Sequence, residues 1–101
     1  MKTKQELIKL GLDEMQAEKV MLLESAMLEQ AIRFQFKKKD GSIRDAVGTL
    51  NRSRMITPEG KIWEPKGADR RPEQPLFVKF WDCIAMDWRQ FNVFNLIAVE
   101  V

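Results

Sequence analysis

Residues 32–50 read IRFQFKKKDGSIRDAVGTL, and no other stretch constrains the fold of this chain as strongly. Ile32, Phe34 and Phe36 alternate with Arg33, Gln35 and Lys37. A period of two sends successive side chains to opposite faces of a strand, so this segment has one apolar face and one cationic face. Asp40-Gly41 then supplies a strong short-range hairpin signal, and SIRDAVGTL reads as the return strand. The first secure element is therefore an antiparallel pair that buries one side only.

Before it the period is helical. Thr3 and Glu6 have capping-box spacing, and Gly11 follows Leu7, Ile8 and Leu10 as a helix stop. Asp13 offers a second N-cap, with Gln16 three residues on. Met15, Val20, Leu23 and Met27 then follow a helical period, which predicts a second helix reaching about Gln30. Met15, Met21 and Met27 are read as core filling, the usual use of methionine.

After the first hairpin, residues 51–75 form a long loop. Residues 51–74 hold three of the four prolines, two of the five glycines and six basic residues, with at most one short strand near 61–63. PLFVKFWD and DWRQFNV predict a second hairpin around the turn CIAM, and LIAVEV a fifth, apolar strand. Both strands of this second hairpin carry large groups on both faces, so one aromatic row fills the core. The other row must be covered by a helix or loop, or must bind something. Phe34, Phe36, Val47, Leu50, Val78, Phe80, Phe91, Ile97 and Val99 are expected to be mainly buried, with the helix outside the barrel.

The expected fold class is mainly β with an N-terminal helical extension, α+β in sum. Residues 1–31 form the extension, and residues 32–101 a small, five-stranded, partly open antiparallel β-barrel. Barrel curvature limits the exposed edges of so short a sheet. With 101 residues and 45% apolar content, the chain suits one domain with one core. The N-terminus lacks an apolar stretch of signal-peptide length, and no membrane span is expected, so the expected location is the cytoplasm. The single Cys83 fits a reducing compartment.

The absence of histidine excludes an imidazole base, a His-ligated metal and every Ser-His or Cys-His nucleophile. Glycines are scattered singly, so no phosphate loop is present. Neither cofactor nor catalysis is expected. Asp82 and Asp87 flank the CIAM turn and are read as partners of local backbone N–H groups rather than as an acid–base pair.

FKKKDGSIRDAVGTLN, the Pro- and Arg-rich loop, FVKFWD, DWRQF and NLIAVEV together resemble the small bacterial and phage WYL-like domains with an Sm-like, Src-homology-3-type β-barrel. The resemblance spans about residues 32–101, and Asp40-Gly41, Gly48-Thr49, Trp81-Asp82 and Trp88-Arg89-x-Phe91 carry it most specifically. It implies a binding module for nucleic acid or a nucleotide-type ligand, with Arg89 as the residue carried over. The WYL tripeptide itself is absent, Phe77-Val78-Lys79 standing near its place.

Charge distribution points the same way. Residues 32–79 hold twelve basic and six acidic groups, whereas both flanks are net acidic. Lys37, Lys38, Lys39, Arg44, Arg52, Arg54, Arg70 and Arg71 are candidate phosphate contacts, and Trp63 in the same loop is a candidate base-stacking group. A basic hairpin tip also keeps a β domain soluble and protects its edges, so both roles stay open. Arg89 itself has two readings: an anion contact, or a structural partner of a ring, Asp82 or Asp87. The alternative function is a protein-interaction or assembly module, with the amphipathic N-terminal helix mediating homodimerisation or gripping a partner protein.

Overall fold

The computed structural model describes residues 2–65 and 74–101. Helix α1 (Lys4–Lys9) starts where expected, the Thr3 hydroxyl accepting from Glu6 N–H at 3.2 Å. Gly11, at φ +108°, turns the chain in the left-handed region that a glycine adopts without strain. Helix α2 (Glu14–Met27) follows, its N-terminus capped by Asp13, which accepts from Gln16 N–H at 2.8 Å. It ends at Met27, before Gln30, because Thr49 Oγ1 and Leu50 N–H take the Met27 carbonyl and Thr49 Oγ1 also takes that of Gln30. The buried side chains of α2 are Ala17, Val20, Leu23, Glu24 and Met27. Met15 in its first turn is exposed, contrary to the expectation that it fills the core.

Five strands follow: β1 (Ile32–Lys37), β2 (Ile43–Thr49), β3 (Phe77–Asp82), β4 (Asp87–Asn92) and β5 (Leu96–Glu100). They form one antiparallel sheet in the order β4-β3-β2-β1-β5. The sheet does not close, since β4 and β5 are its two ends. In the first hairpin, Gly41 N–H reaches Lys38 O at 3.0 Å and Lys38 N–H reaches Ser42 O at 2.8 Å. Gly41 takes φ +90°, and the Asp40 carboxylate accepts from both Ser42 N–H and Ser42 hydroxyl.

Alternation sorts the residues onto two faces. Phe34, Phe36, Ala46, Val78, Phe80 and Phe91 line the inner face in one buried cluster with Leu7, Val20, Leu23, Met27 and Leu96. The helices thus contribute to the same core as the strands and are not a separate layer outside it. The inner row of β2 is Ala46 and Gly48, not Val47: Phe34 pairs with Ala46, and Ile32 with Gly48. Val47 and Leu50 are half-buried, and Ile97 is 38% exposed. Leu96, rather than Ile97, points inward after a register irregularity between Gln35 and Phe36.

Gly48 has no positive φ. A Cβ there would lie 2.6 Å from Phe80 Cδ2 and 2.9 Å from Phe34 Cε1. Two fully buried rings, packed edge to face at 5.0 Å, occupy the space a side chain would need. Close approach, not backbone freedom, requires glycine at this position.

Candidate functional site

Residues 51–65 of the long loop are held by local backbone and side-chain hydrogen bonds. Asn51 caps a 3-10 turn at Arg52–Arg54 by accepting from Ser53 N–H. Ile56 and Ile62 then make an isolated antiparallel bridge, close to where a short strand was expected. Met55, buried, accepts at its carbonyl from Trp63 N–H at 2.7 Å. This small ribbon carries Trp63 onto the outer face of the sheet.

There Trp63 meets the second aromatic row. Trp81 and Trp88 are opposite each other across β3 and β4, with ring centroids 5.8 Å apart and nearly perpendicular planes. Trp63 lies 5.9 Å from Trp81 and 5.4 Å from Trp88, so the three indoles form a triangle. Edge-to-face geometry sets the positive edge of one ring against the negative face of the next. The Lys79 ammonium sits 4.9 Å from the Trp88 ring centroid, a cation over a π face. Trp81 is buried, while Trp63 and Trp88 are half-buried. The Trp81 indole N–H is buried with no hydrogen-bond partner among the described residues.

The inner face holds a different device at the same end of the sheet. Asp82, fully buried, accepts a hydrogen bond from the Arg44 guanidinium through one oxygen. Its other oxygen accepts from Ile84 N–H at 2.9 Å and Ala85 N–H at 3.0 Å, closing the CIAM turn. Asp87 likewise accepts from the N–H of Trp88. Both carboxylates bond local backbone. Cys83 in this turn has its thiol pKa pushed up, first by burial and then by the Asp82 charge, with Arg54 acting in opposition.

The sequence-derived candidates therefore divide. Lys37 and Trp63 belong to the outer face, and Lys38 and Lys39 to the exposed tip beyond β1. Cys83 N–H bonds Val47 O, so the first hairpin projects past the second and carries its basic tip outward at the indole end. Arg52 and Arg54 are exposed on the 3-10 turn. Arg44 lies on the inner face, engaged with Asp82. Arg89 also lies on the inner-face side, opposite Phe80, and is exposed. Among the described residues it has neither an ion pair nor a ring contact, so the cation over Trp88 is Lys79 and the partner of Asp82 is Arg44. Arg70 and Arg71 lie outside the described residues. Sequence reasoning missed Lys79 as a member of the aromatic cluster. The signal was present in its alternation with Trp81 on β3.

Among the described residues, no group of three or more His, Cys, Asp or Glu side chains could hold a metal ion, and no helix is long and apolar enough to cross a membrane. No curated protein and no solved structure matches the chain. A protein-family model described as WYL_2, Sm-like SH3 beta-barrel fold, matches residues 20–97, a span that takes in most of α2 and nearly all of the sheet, and the chain belongs to that family.

Proposed function

We propose that this small barrel is a non-catalytic binding module for single-stranded nucleic acid or a nucleotide-type ligand, and that its contact surface is the outer face around Trp63 and Trp88. The observation that carries the reading is the indole triangle with the Lys79 ammonium on it. Bases stack on half-exposed aromatic rings without regard to sequence, and nearby cations neutralise the phosphates. Lys37, Lys38, Lys39, Arg52 and Arg54 supply that charge on the projecting hairpin and the 3-10 turn. Arg44 acts in this reading as a structural residue, because its guanidinium is committed to Asp82.

The alternative is that α2 grips a partner or mediates dimerisation; Val20, Leu23 and Met27 of that helix are spent on the protein's own core, and Met15 and Leu22 are its exposed apolar side chains.

Nuclear magnetic resonance tests the proposal directly. Titration with a short single-stranded oligonucleotide should shift the indole N–H resonances of Trp63 and Trp88 and the amides of residues 37–39 and 52–54. Shifts at Arg89 with neither the Trp63 nor the Trp88 indole affected, or none at protein and oligonucleotide concentrations of about 1 mM, would overturn it.

A further inference from the structure

The two ends of the open sheet are finished differently. Strand β5 is overlaid by α2, whose side chains take outlying carbonyls: Gln16 Nε2 donates to Leu96 O at 2.8 Å and Lys19 Nζ to Ile97 O at 3.0 Å. Strand β4 has no such cover among the described residues. Its side chains Arg89 and Gln90 are exposed, and Trp88 is half-buried. An uncovered edge strand presents backbone groups that another strand can pair with.

Which groups point outward follows from the ladder. Val93 N–H bonds Leu76 O at 2.9 Å, and antiparallel pairing alternates bonded and non-bonded residues. In the register Phe80↔Arg89 and Trp81↔Trp88, the backbone of Arg89 faces β3 and that of Trp88 and Gln90 faces away. Trp88 N–H confirms the direction, since it turns to the carboxylate of Asp87 at 2.8 Å rather than to a strand.

We propose that β4 pairs antiparallel with β4 of a second copy of this chain, about a two-fold axis at Trp88. The occupant is identified by charge complementarity in the sequence Asp87-Trp88-Arg89. An axis at Trp88 sets Asp87 of each copy against Arg89 of the other, and these are non-hydrogen-bonded pairs, whose side chains approach most closely. Trp88 of each copy exchanges N–H···O bonds with its counterpart. An axis at Arg89 would oppose like charges and would align backbone groups already used by β3. An axis at Gln90 would satisfy the backbone but leave Asp87 and Arg89 without each other. The Asp87 carboxylate, released from its own neighbour's N–H, becomes the acceptor for the partner's guanidinium. Two short strands bury little area, so the dimer is weak and salt-sensitive.

Charge exchange tests the register. Sedimentation equilibrium of the full chain at low salt should show a dimer forming with rising concentration. Asp87→Arg and Arg89→Asp should each weaken self-association by about tenfold or more, with unchanged circular dichroism reporting an intact fold. Mixed in equal amounts, the two variants should associate again, because each then faces the opposite charge. A wild-type chain that stays monomeric at about 1 mM overturns the proposal. So do single variants that still dimerise, and a mixture of monomeric variants that remains monomeric. If a variant loses its fold, the double exchange Asp87→Arg with Arg89→Asp replaces it; this keeps the self-complementary pattern and should dimerise as the wild type does, and its failure to do so is equally contrary.

Discussion

Replacing Gly48 with alanine isolates one packing contact. The backbone there lies outside the positive-φ region, so alanine adopts it without strain and gains about 0.4–1 kcal/mol from a less flexible unfolded chain. Against this, the new methyl would sit 2.6 Å from one ring and 2.9 Å from another. Neither ring can retreat freely. Phe34 packs on Phe36, Phe80 and Phe91, and Phe80 packs on Phe34, Phe36 and Phe91. Overpacking of this kind costs about 1–3 kcal/mol. The net expectation is a loss of about 1–2 kcal/mol, read by urea unfolding at constant m value, with the melting temperature lowered by about 5–10 °C. Phe80→Leu in the Gly48→Ala background should cost less than Phe80→Leu alone, because it vacates the space the methyl needs. Gly48→Ala at or above wild-type stability would refute the argument that the rings exclude a side chain.

Other consequences follow from the inner-face end. Arg44→Ala should cost about 2–4 kcal/mol, because it strands the carboxylate of Asp82 at a buried site, and the same change made in an Asp82→Ala background should cost much less; additive losses in urea unfolding would show that the pair is not coupled. Cys83 should alkylate more slowly at pH 8 than a free cysteine, since burial favours the thiol, and Arg54→Gln should slow it further; an equal or faster rate in the Arg54 variant would contradict its placement. The Asp40 carboxyl is held below its ordinary pKa, first by the Ser42 hydroxyl and then by the Ser42 N–H. A depressed folded pKa means that the turn's contribution is present above the unfolded value and lost as pH falls through the folded one. Ser42→Ala should raise the Asp40 midpoint in a carboxyl NMR titration.

Local chemistry made much of this fold legible. Thr3, Asp13 and Gly41 act where their side chains or backbone freedom indicate, because a cap or turn is decided within four residues. Period-two alternation placed Phe34, Phe36, Val78, Phe80 and Phe91 inside for the same reason. It failed where both parities are apolar. In LIAVEV nothing local separates Leu96 from Ile97, and the irregularity beside Phe36 decides. In β2 the inner row is Ala46 and Gly48, whose small side chains carry almost no hydrophobic signal, although the rings require that they be small. The pairing of Arg44 with Asp82, 38 residues apart, and the burial of Lys2 against Glu24 are products of tertiary structure with no short-range trace. The outer aromatic row was readable as a face needing a cover. That the cover is Trp63 depended on the path of the loop, whereas Lys79, over Trp88, shares the outer parity of Trp81 on β3.

Equilibrium titration of the protein with a fluorescent single-stranded oligonucleotide and its duplex, at about 50 and 200 mM salt, tests the central claim most directly. Three phosphate contacts on a single strand give a salt slope near −2, so the affinity should fall about tenfold or more between the two conditions. The single strand should bind more tightly than the duplex, whose bases are not free to stack, and Trp63→Leu should cost about 1–3 kcal/mol of that affinity. Absence of single-strand binding at the lower salt, or binding that Trp63→Leu leaves unchanged, would contradict the account.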